Sequence, residues 1–347
     1  MNNKIIDDMT TRKISRAAMM LLKLHKKNRP FCVILMMLLT ATTAWAWDGS
    51  GTETSPYQIK NTNDLNQLAT DVNGGNEYAD TYFVLTADIT YSTTGLGDTG
   101  SNYTPIGGRF NGDFWHFKGH FDGQNHTVSG IRIYKSGSDF EDSNQALFGR
   151  IDNGATVKNV FLADARITGY RSSGGIVGNA TWNSTIENCH VLSDVTIHVV
   201  AEGIEGVANC CGGIAGQIYK STVTGCTSAA SITIATNVSI SSDYGGIVGQ
   251  NSESTVTDCI YFGSTVEGRK AVGAIVGRSS SNSTVSNCYY TSTTIQGKDI
   301  YGNALDNNAS AIGHIVSNAT NPATVDDARL ITSADFAQSG DTLIKKK

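Results

Sequence analysis

The stretch "GGIVGNATWNSTIENCHV", residues Gly174–Val191, decides the fold because it recurs along the chain. It returns as "GGIAGQIYKSTVTGCTS" from Gly212 and as "GGIVGQNSESTVTDCIY" from Gly245. Each copy holds a glycine-rich run, a "TVxxC" run and a Thr/Ile/Val run, and no 3.6-residue apolar period joins them. A repeat of this kind is typical of a solenoid, in which one copy forms one coil and stacks on its neighbours.

Two columns align all the copies. The glycine that ends the "GIVG" run is found at Gly149, Gly178, Gly216, Gly249 and Gly277. The second column lies three residues after the Val or Ile of the "TV" pair, and it holds Val160, Cys189, Cys226, Cys259 and Cys288. The sequence therefore predicts an all-β fold, a parallel β-helix or solenoid of about five repeat coils, with strands paired at about 4.8 Å per coil.

The cysteine column asks for a small apolar filler, because Val160 holds the same place in the first coil and can neither ionise nor bind a metal. The residues before it are Asn159, Asn188, Gly225, Asp258 and Asn287. These types readily adopt the left-handed conformation, so they predict a corner that turns both flanking side chains inward. Buried free thiols and disulfides between adjacent coils both remain open. Because no Cys-x-x-Cys pair occurs, neither catalysis nor zinc binding is expected. Cys210 and Cys211 lie outside the column and receive no role.

The block before the repeats predicts two further elements. Leu65, Leu68, Ala69 and Val72 follow helical spacing after a polar N-cap at Asn61 or Thr62, and Gly74 ends the pattern. We expect one short helix there, covering the N-terminal end of the solenoid. "FKGHFDGQNHTVSGIRI" alternates like two strands joined by a turn at Asp122-Gly123.

The first 46 residues are typical of an export signal. "KKNRP" precedes the apolar run Phe31–Leu39, and a small-x-small site ends at Ala46. Because the charged region is long, Met19 and Met20 are alternative starts. We expect 1–46 to be a signal peptide, 47–140 an N-terminal capping part, 141–315 the repeat solenoid, and 316–347 a C-terminal segment. The expected location is therefore secreted or cell-surface, with no transmembrane helix in the mature chain. Without the signal, 18 basic and 29 acidic side chains remain, a balance that disfavours nucleic acid as a partner.

The "GGIVG" copies resemble the GLUG-type repeats of bacterial surface proteins, which also occur before the catalytic part of immunoglobulin A-cleaving metallopeptidases. The resemblance extends to "YFVLTADI", "YTPIGG" and "FKGHFDGQNHTVSGIRI", and covers most of Gly49–Gly313. It implies a secreted or surface, adhesin-like β-solenoid of the kind common in Bacteroidetes. Such chains usually continue beyond the segment that here reads "SADFAQSGDTLIKKK", so the resemblance also implies a truncated C-terminus.

Catalytic motifs are missing from the sequence. It contains no His-Glu-x-x-His, no Gly-x-Ser-x-Gly and no phosphate-binding Gly/Lys loop. His116, His120 and His126, with Asp122 between them, could form a zinc site, but solvated or turn-capping histidines are favoured. Acidic residues fall at different points of the coil: Asp164, Glu187, Asp194, Asp258 and Glu267. No enzymatic activity, metal or cofactor is therefore expected.

The sequence favours a non-enzymatic adhesin-like module that binds or displays, with a glycan or an extracellular protein as partner. Trp182, Tyr219 and Tyr244 are the candidate ligand-binding residues, because each adjoins a "GIVG" segment at an expected coil edge. The insertions Val199–Cys211 and Asn237–Tyr244 are expected side by side on one edge. Two alternatives are a carbohydrate-active β-helix enzyme and the non-catalytic front piece of a larger secreted peptidase.

Overall fold

The described residues from Asp48 onward belong to one compact unit in which short strands stack in parallel. This computed structural model describes residues 47–137, 142–200, 209–235, 242–268, 271–280, 282–290, 294–297, 336–339 and 342–345. The expected signal peptide and the tips of both predicted insertions lie outside the described residues. Five parallel sheets run through the unit, and neighbours in each sheet follow the order of the chain. The predicted parallel solenoid is confirmed.

A coil of the repeat visits the five sheets in a fixed order, and we name them A to E in that order. Sheet A consists of Phe148–Ile151, Val177–Thr181, Ala215–Tyr219, Val248–Ser252 and Val276–Ser279. Sheet B consists of Tyr57–Ile59, Tyr82–Leu85, His120–Asp122, Thr156–Lys158, Thr185–Glu187, Thr222–Thr224, Thr255–Thr257 and Thr284–Ser286. Sheet C consists of Ile89–Thr90, Thr127–Ser129, Phe161–Ala163, His190–Val191, Thr227–Ser228, Ile260–Tyr261 and Tyr289–Tyr290.

The remaining two sheets complete each coil before the next glycine pair. Sheet D consists of Arg132–Tyr134, Arg166–Gly169, Thr196–Val199, Ser231–Ile234, Thr265–Gly268 and Thr294–Gly297. Sheet E consists of Ser173–Gly174, Asn209–Gly212, Ser242–Gly245 and Ala271–Gly273. Two antiparallel strand pairs are not part of these sheets: Gly108–Phe110 with Asp113–Trp115, and Phe336–Ser339 with Thr342–Lys345. Sheet B is longer than sheet A because the segment before the repeats adds three strands to it.

The inner face of sheet B shows how the repeat builds a core. Val157, Ile186, Val223 and Val256 lie in register on successive strands and are fully buried. The column Val160, Cys189, Cys226, Cys259 and Cys288 is also fully buried. The residue before each member has a positive φ: 55° at Asn159, 49° at Asn188, 64° at Gly225, 55° at Asp258 and 50° at Asn287. The predicted left-handed corner is confirmed in every coil.

Glycine is required where backbones stack without room for a side chain. A Cβ at Gly213 would lie 2.2 Å from the carbonyl oxygen of Gly246 on the next coil. A Cβ at Gly216 would lie 2.4 Å from the carbonyl carbon of Ser172 and 2.7 Å from the carbonyl oxygen of Gly178. Since real Cβ atoms do not approach backbone this closely, glycine at 213 lets adjacent coils stack and glycine at 216 lets sheet A approach sheet E.

The N-terminal block contains the predicted helix but not the predicted hairpin. The helix spans Thr62–Asn73, with Asn61 as N-cap and Gly74 as C-cap, and it buries Leu65, Leu68, Ala69 and Val72. The expected hairpin around Asp122-Gly123 is wrong, because His120–Asp122 belongs to sheet B and Thr127–Ser129 to sheet C. The chain turns a corner there through left-handed Gln124 and Asn125. Both strands then pair in parallel with the next coil instead of with each other.

Candidate functional site

The corner between sheets A and B presents the cluster of Trp182, Tyr219 and Lys220, which we call the aromatic corner. The rings of Trp182 and Tyr219 come from adjacent coils and meet edge to face at 5.2 Å between centroids. Lys220 Nζ lies 4.5 Å from the centroid of the Trp182 ring and 5.2 Å from that of Tyr219. The Trp182 side chain is 48% exposed. An aromatic face with a cation beside it is thereby offered to solvent.

Backbone geometry holds this corner in place. Trp182, Lys220 and Glu253 occupy equivalent left-handed positions on three successive coils, with φ of 47°, 48° and 48°. A serine follows each of them and satisfies a carbonyl of the turn: Ser184 Oγ donates to Thr181 O at 2.6 Å, Ser221 Oγ to Tyr219 O at 2.9 Å and Ser254 Oγ to Ser252 O at 2.6 Å. These serines explain why "ST" opens the second run of the copies. These hydrogen bonds therefore help to hold the backbone of the corner in its turn.

Electrostatics keep the cation of the aromatic corner charged. Hydrogen bonding to Tyr219 raises the pKa of Lys220 above its usual value. Glu253 Oε2 lies 3.7 Å from Lys220 Nζ, and both side chains are partly exposed. A pair this exposed contributes little to stability. Its effect is to orient the ammonium group beside the two rings.

Tyr244 does not belong to this surface. Its side chain is fully buried, which corrects the expectation that it lies at a solvent-exposed coil edge. The strand Ser242–Gly245 pairs with Asn209–Gly212 on one side and with Ala271–Gly273 on the other, so Tyr244 stacks in register between Cys211 and Val272. Trp182 and Tyr219 remain the candidate binding residues. The flanks of the two predicted insertions, near residues 209 and 242, do lie on neighbouring strands, whereas their tips lie outside the described residues.

The thiols of the cysteine column are not suited to nucleophilic chemistry. The cysteines that the structure describes are free thiols. Each thiol of the column donates to the carbonyl two residues earlier, as Cys226 Sγ does to Thr224 O at 3.3 Å and Cys259 Sγ does to Thr257 O at 3.1 Å. Burial raises the pKa of both thiols well above the ordinary value. A thiol held neutral and buried is not a nucleophile.

Sheet A carries a row of polar side chains that the repeat analysis missed, and we call it the polar ladder. Its members directly follow the last glycine of each "GIVG" run and lie in register: Arg150, Asn179, Gln217, Gln250 and Arg278. Gln217 Nε2 donates to Gln250 Oε1 at 2.6 Å, and Gln250 Nε2 donates to Asp243 Oδ2 at 3.3 Å. Arg278 pairs with the buried Asp243, with 3.1 Å from Nε to Oδ1. The sequence signal for the polar ladder was the polar residue that follows the last glycine of each "GIVG" run.

Asp243 makes the neighbouring thiol of Cys210 less acidic. Burial raises the pKa of Cys210 well above its ordinary value, and the negative charge of Asp243 adds to the shift. The Cys210 thiol faces Gln250 Oε1 at 3.7 Å. The adjacent cysteines, which the sequence left without a role, thus pack within sheet E. Gln217, Gln250 and Arg278 of the polar ladder are thus engaged by partners within the fold.

The three candidate zinc ligands do not converge. His116 Nδ1 lies 3.1 Å from Glu77 Oε1, His120 Nδ1 lies 3.1 Å from Thr156 Oγ1, and His126 Nδ1 lies 3.0 Å from Asp88 Oδ1. Each imidazole is oriented by a different residue. Within the part of the chain that the structure describes, no group of three or more His, Cys, Asp or Glu side chains could hold a metal ion.

A known family model matches one copy of the repeat. Residues 169–196 match the family model described as the GLUG motif, which confirms the resemblance over that copy. The chain is 35% identical over 159 residues to Halomucin of Haloquadratum walsbyi, a match that covers 45% of this chain and 2% of Halomucin. The crystal structure of a candidate immunoglobulin A1 protease from Bacteroides ovatus aligns at 18% identity with a TM-score of 0.47, over 86% of this chain and 94% of that chain.

The helix among the described residues is the segment Thr62–Asn73, of 12 residues. No helix among them has both the length and the apolar character that crossing a bilayer requires.

Proposed function

We propose that this chain is a non-catalytic binding module of a secreted or surface-held protein, and that the aromatic corner contacts its partner. The observation that carries the proposal is the exposure of Trp182 on a corner whose turns are held by serine hydrogen bonds. Trp182 and Phe114 are the exposed large hydrophobic side chains of the described residues, and Trp182 alone of the two lies on the stacked coils. Exposed aromatic side chains beside a cation are frequent binding anchors.

The solenoid suits display rather than catalysis. The candidate site consists of two aromatic rings and an ammonium group beside the Glu253 carboxylate, and the buried thiols donate to backbone carbonyls. Similarity to Halomucin, a mucin by its name, supports an extracellular setting. A glycan or an extracellular protein is the class of partner that an aromatic surface with a single cation would accept.

Binding of the purified chain to immobilised mucin, fibronectin, collagen and neutral and acidic polysaccharides tests the proposal. We expect at least one of these probes to capture the chain, and the Trp182→Ala variant to bind at least about tenfold more weakly, which corresponds to about 1.4 kcal/mol. Phe114→Ala is the matched control, because Phe114 is 44% exposed but lies on the hairpin Gly108–Phe110 with Asp113–Trp115.

Three results would contradict the proposal. The first is capture that Trp182→Ala leaves unchanged, and the second is no capture by any probe. The third is reproducible cleavage of a polysaccharide that is lost when one carboxylate of a coil face, such as Glu187 or Asp258, is replaced by its amide. The third result would establish the carbohydrate-active enzyme that the sequence left as an alternative.

A further inference from the structure

The outer face of sheet B changes character along the solenoid. In the repeat coils one outward column consists of Thr156, Thr185, Thr222, Thr255 and Thr284. Towards the N-terminus the same column continues as His120 and then Tyr82. The neighbouring outward column runs from Glu187 through Lys158 and Asp122 to Val84. Small hydroxyl groups thus give way to an aromatic pair beside a carboxylate and an ammonium group.

A cavity of about 310 Å³ lies over this altered part of the face, and we call it the N-terminal cavity. Its lining includes Tyr82, His120, Asp122 and Lys158 from the sheet, with Glu53 and Gln124 among the residues around them. The volume is near the lower end of the range of about 300 to 1,000 Å³ for small-ligand pockets. The cavity therefore fits one or two small rings rather than a folded partner.

Neighbouring contacts orient the polar groups of the cavity in advance. Asp122 Oδ1 accepts from the Gln124 backbone N–H at 2.9 Å and from Asn159 Nδ2 at 2.9 Å. Asp122 Oδ2 accepts from Gln124 Nε2 at 2.8 Å, and Lys158 Nζ lies 3.6 Å away. A carboxylate fixed by several donors keeps its geometry when a ligand binds, so little ordering cost is added.

The aromatic side of the cavity is equally fixed. The rings of Tyr82 and His120 stack with 4.5 Å between centroids and 34° between planes. His120 Nδ1 lies 3.1 Å from Thr156 Oγ1, and this contact restrains the tilt of the imidazole. The pair gives the cavity an apolar surface between polar groups that accept and donate hydrogen bonds.

We propose that the N-terminal cavity is a binding site for a neutral saccharide unit, separate from the aromatic corner. A sugar ring has apolar C–H faces that pack on aromatic rings, and a rim of hydroxyls that both donate and accept. Asp122 accepts from such hydroxyls, while Lys158 and Gln124 donate to them. The charged groups of the lining are the carboxylates of Glu53 and Asp122 and the ammonium of Lys158. This excess of negative charge disfavours an acidic sugar.

Titration of the purified chain with soluble cellobiose, lactose, mannobiose and N,N′-diacetylchitobiose, followed by saturation-transfer NMR, tests this site. Di-galacturonate is the acidic arm of the experiment. We expect at least one neutral disaccharide to bind, and Asp122→Asn to weaken it at least about tenfold. Asparagine retains an acceptor for the Gln124 N–H, so this variant keeps the local turn. Tyr82→Ala should weaken binding similarly, and thermal melts verify that both variants fold.

Matched controls separate this site from the aromatic corner. Glu187→Gln makes the same chemical change two coils along the same column and should leave binding unchanged, as should Trp182→Ala. The proposal is overturned if none of the neutral disaccharides binds, if only di-galacturonate binds, or if binding follows Trp182 instead of Asp122. Loss of capture in the Trp182→Ala experiment bears on the aromatic corner alone, so the two proposals can fail independently.

Discussion

The N-terminal end of the solenoid and its repeat coils fill the same inner column of sheet B with side chains of very different size. In the repeat coils the column holds Val157, Ile186, Val223 and Val256. Toward the N-terminus it holds Phe121 and Phe83. Phe117 joins them and meets the Phe83 ring at 5.9 Å and the Phe148 ring at 5.2 Å between centroids.

The difference teaches that repetition constrains size. Inside a stack, each side chain contacts an equivalent one above and below, so a residue that fits once fits again, and small β-branched residues and thiols recur. The N-terminal block instead holds contacting phenyl rings and a helix that buries four apolar side chains, and neither feature repeats along the described coils.

The largest expected effect concerns the cluster formed by the rings of Phe83, Phe117, Phe121 and Phe148. Phe117→Ala removes a fully buried ring and should lower the free energy of unfolding by about 3 to 5 kcal/mol. Because coils contact only their neighbours, hydrogen exchange should quicken first in the strands before residue 130. Phe114→Ala, three residues away on an exposed side chain, should cost less than about 1 kcal/mol. Uniform loss of protection along the whole solenoid would show that the two regions do not differ in this way.

The second effect concerns the repeat coils, where backbone contact replaces ring packing. Gly216→Ala places a methyl group against backbone atoms of Ser172 and Gly178, and should cost about 3 kcal/mol as sheets A and E are forced apart. Gly97→Ala is the control, since no atom lies within 4 Å of a Cβ there. Chemical denaturation measures both variants. Equal stabilities would mean that the glycine column is not set by close approach.

How far the sequence could predict the molecule follows from the same comparison. Five examples of each column made the burial of Val160 and Cys226, and the left-handed turn before them, predictable. Tyr244 has no such support, because its register partners are Ser173, Cys211 and Val272 by way of the pairings in sheet E, and no pattern is visible in that set. Its position between "SD" and "GG" therefore suggested an exposed edge.

The two candidate sites also differ in how far the sequence could predict them. The aromatic corner was foreseeable in part, because Trp182 and Tyr219 both precede an "ST" run in their copies. The N-terminal cavity was not, since Tyr82 and Asp122 come from segments that share no repeat and meet only through strand pairing. Asp122-Gly123 looked like a hairpin turn because a tight turn and a solenoid corner use the same residue types.

A smaller effect is expected from the thiols, and it depends on pH. Cys226→Val should keep the fold at a cost of up to about 1 to 2 kcal/mol at neutral pH. Since burial raises the pKa of Cys226, the folded state holds the proton while the unfolded thiol ionises above about pH 8.5. Stability is therefore lost as pH rises beyond that value, by about 1.4 kcal/mol per pH unit for one thiol. The valine variant should lose stability less steeply.

Two measurements check the thiol prediction. Denaturation at several pH values from 7 to 10 gives the slope, and Val256→Ala is the control that lowers stability while leaving the slope unchanged. Titration of the unfolded, non-reduced chain with a thiol reagent gives the redox state. Near-complete reactivity agrees with free thiols, whereas the loss of four thiols would reveal two disulfides between coils.

The smallest effect returns to the N-terminal end. Asn61 Oδ1 accepts from the backbone N–H of Asn63 at 2.9 Å and of Asp64 at 3.2 Å, which satisfies two donors of the first helical turn. Asn61→Ala should cost about 1 kcal/mol, seen as faster amide exchange within Thr62–Asn73. Asn63→Ala, an exposed change one residue into the helix, should stay within about 0.5 kcal/mol. Faster exchange in the repeat coils as well would contradict this prediction. It would mean that the stability of those coils depends on the helix over a longer range than contact between neighbouring coils allows.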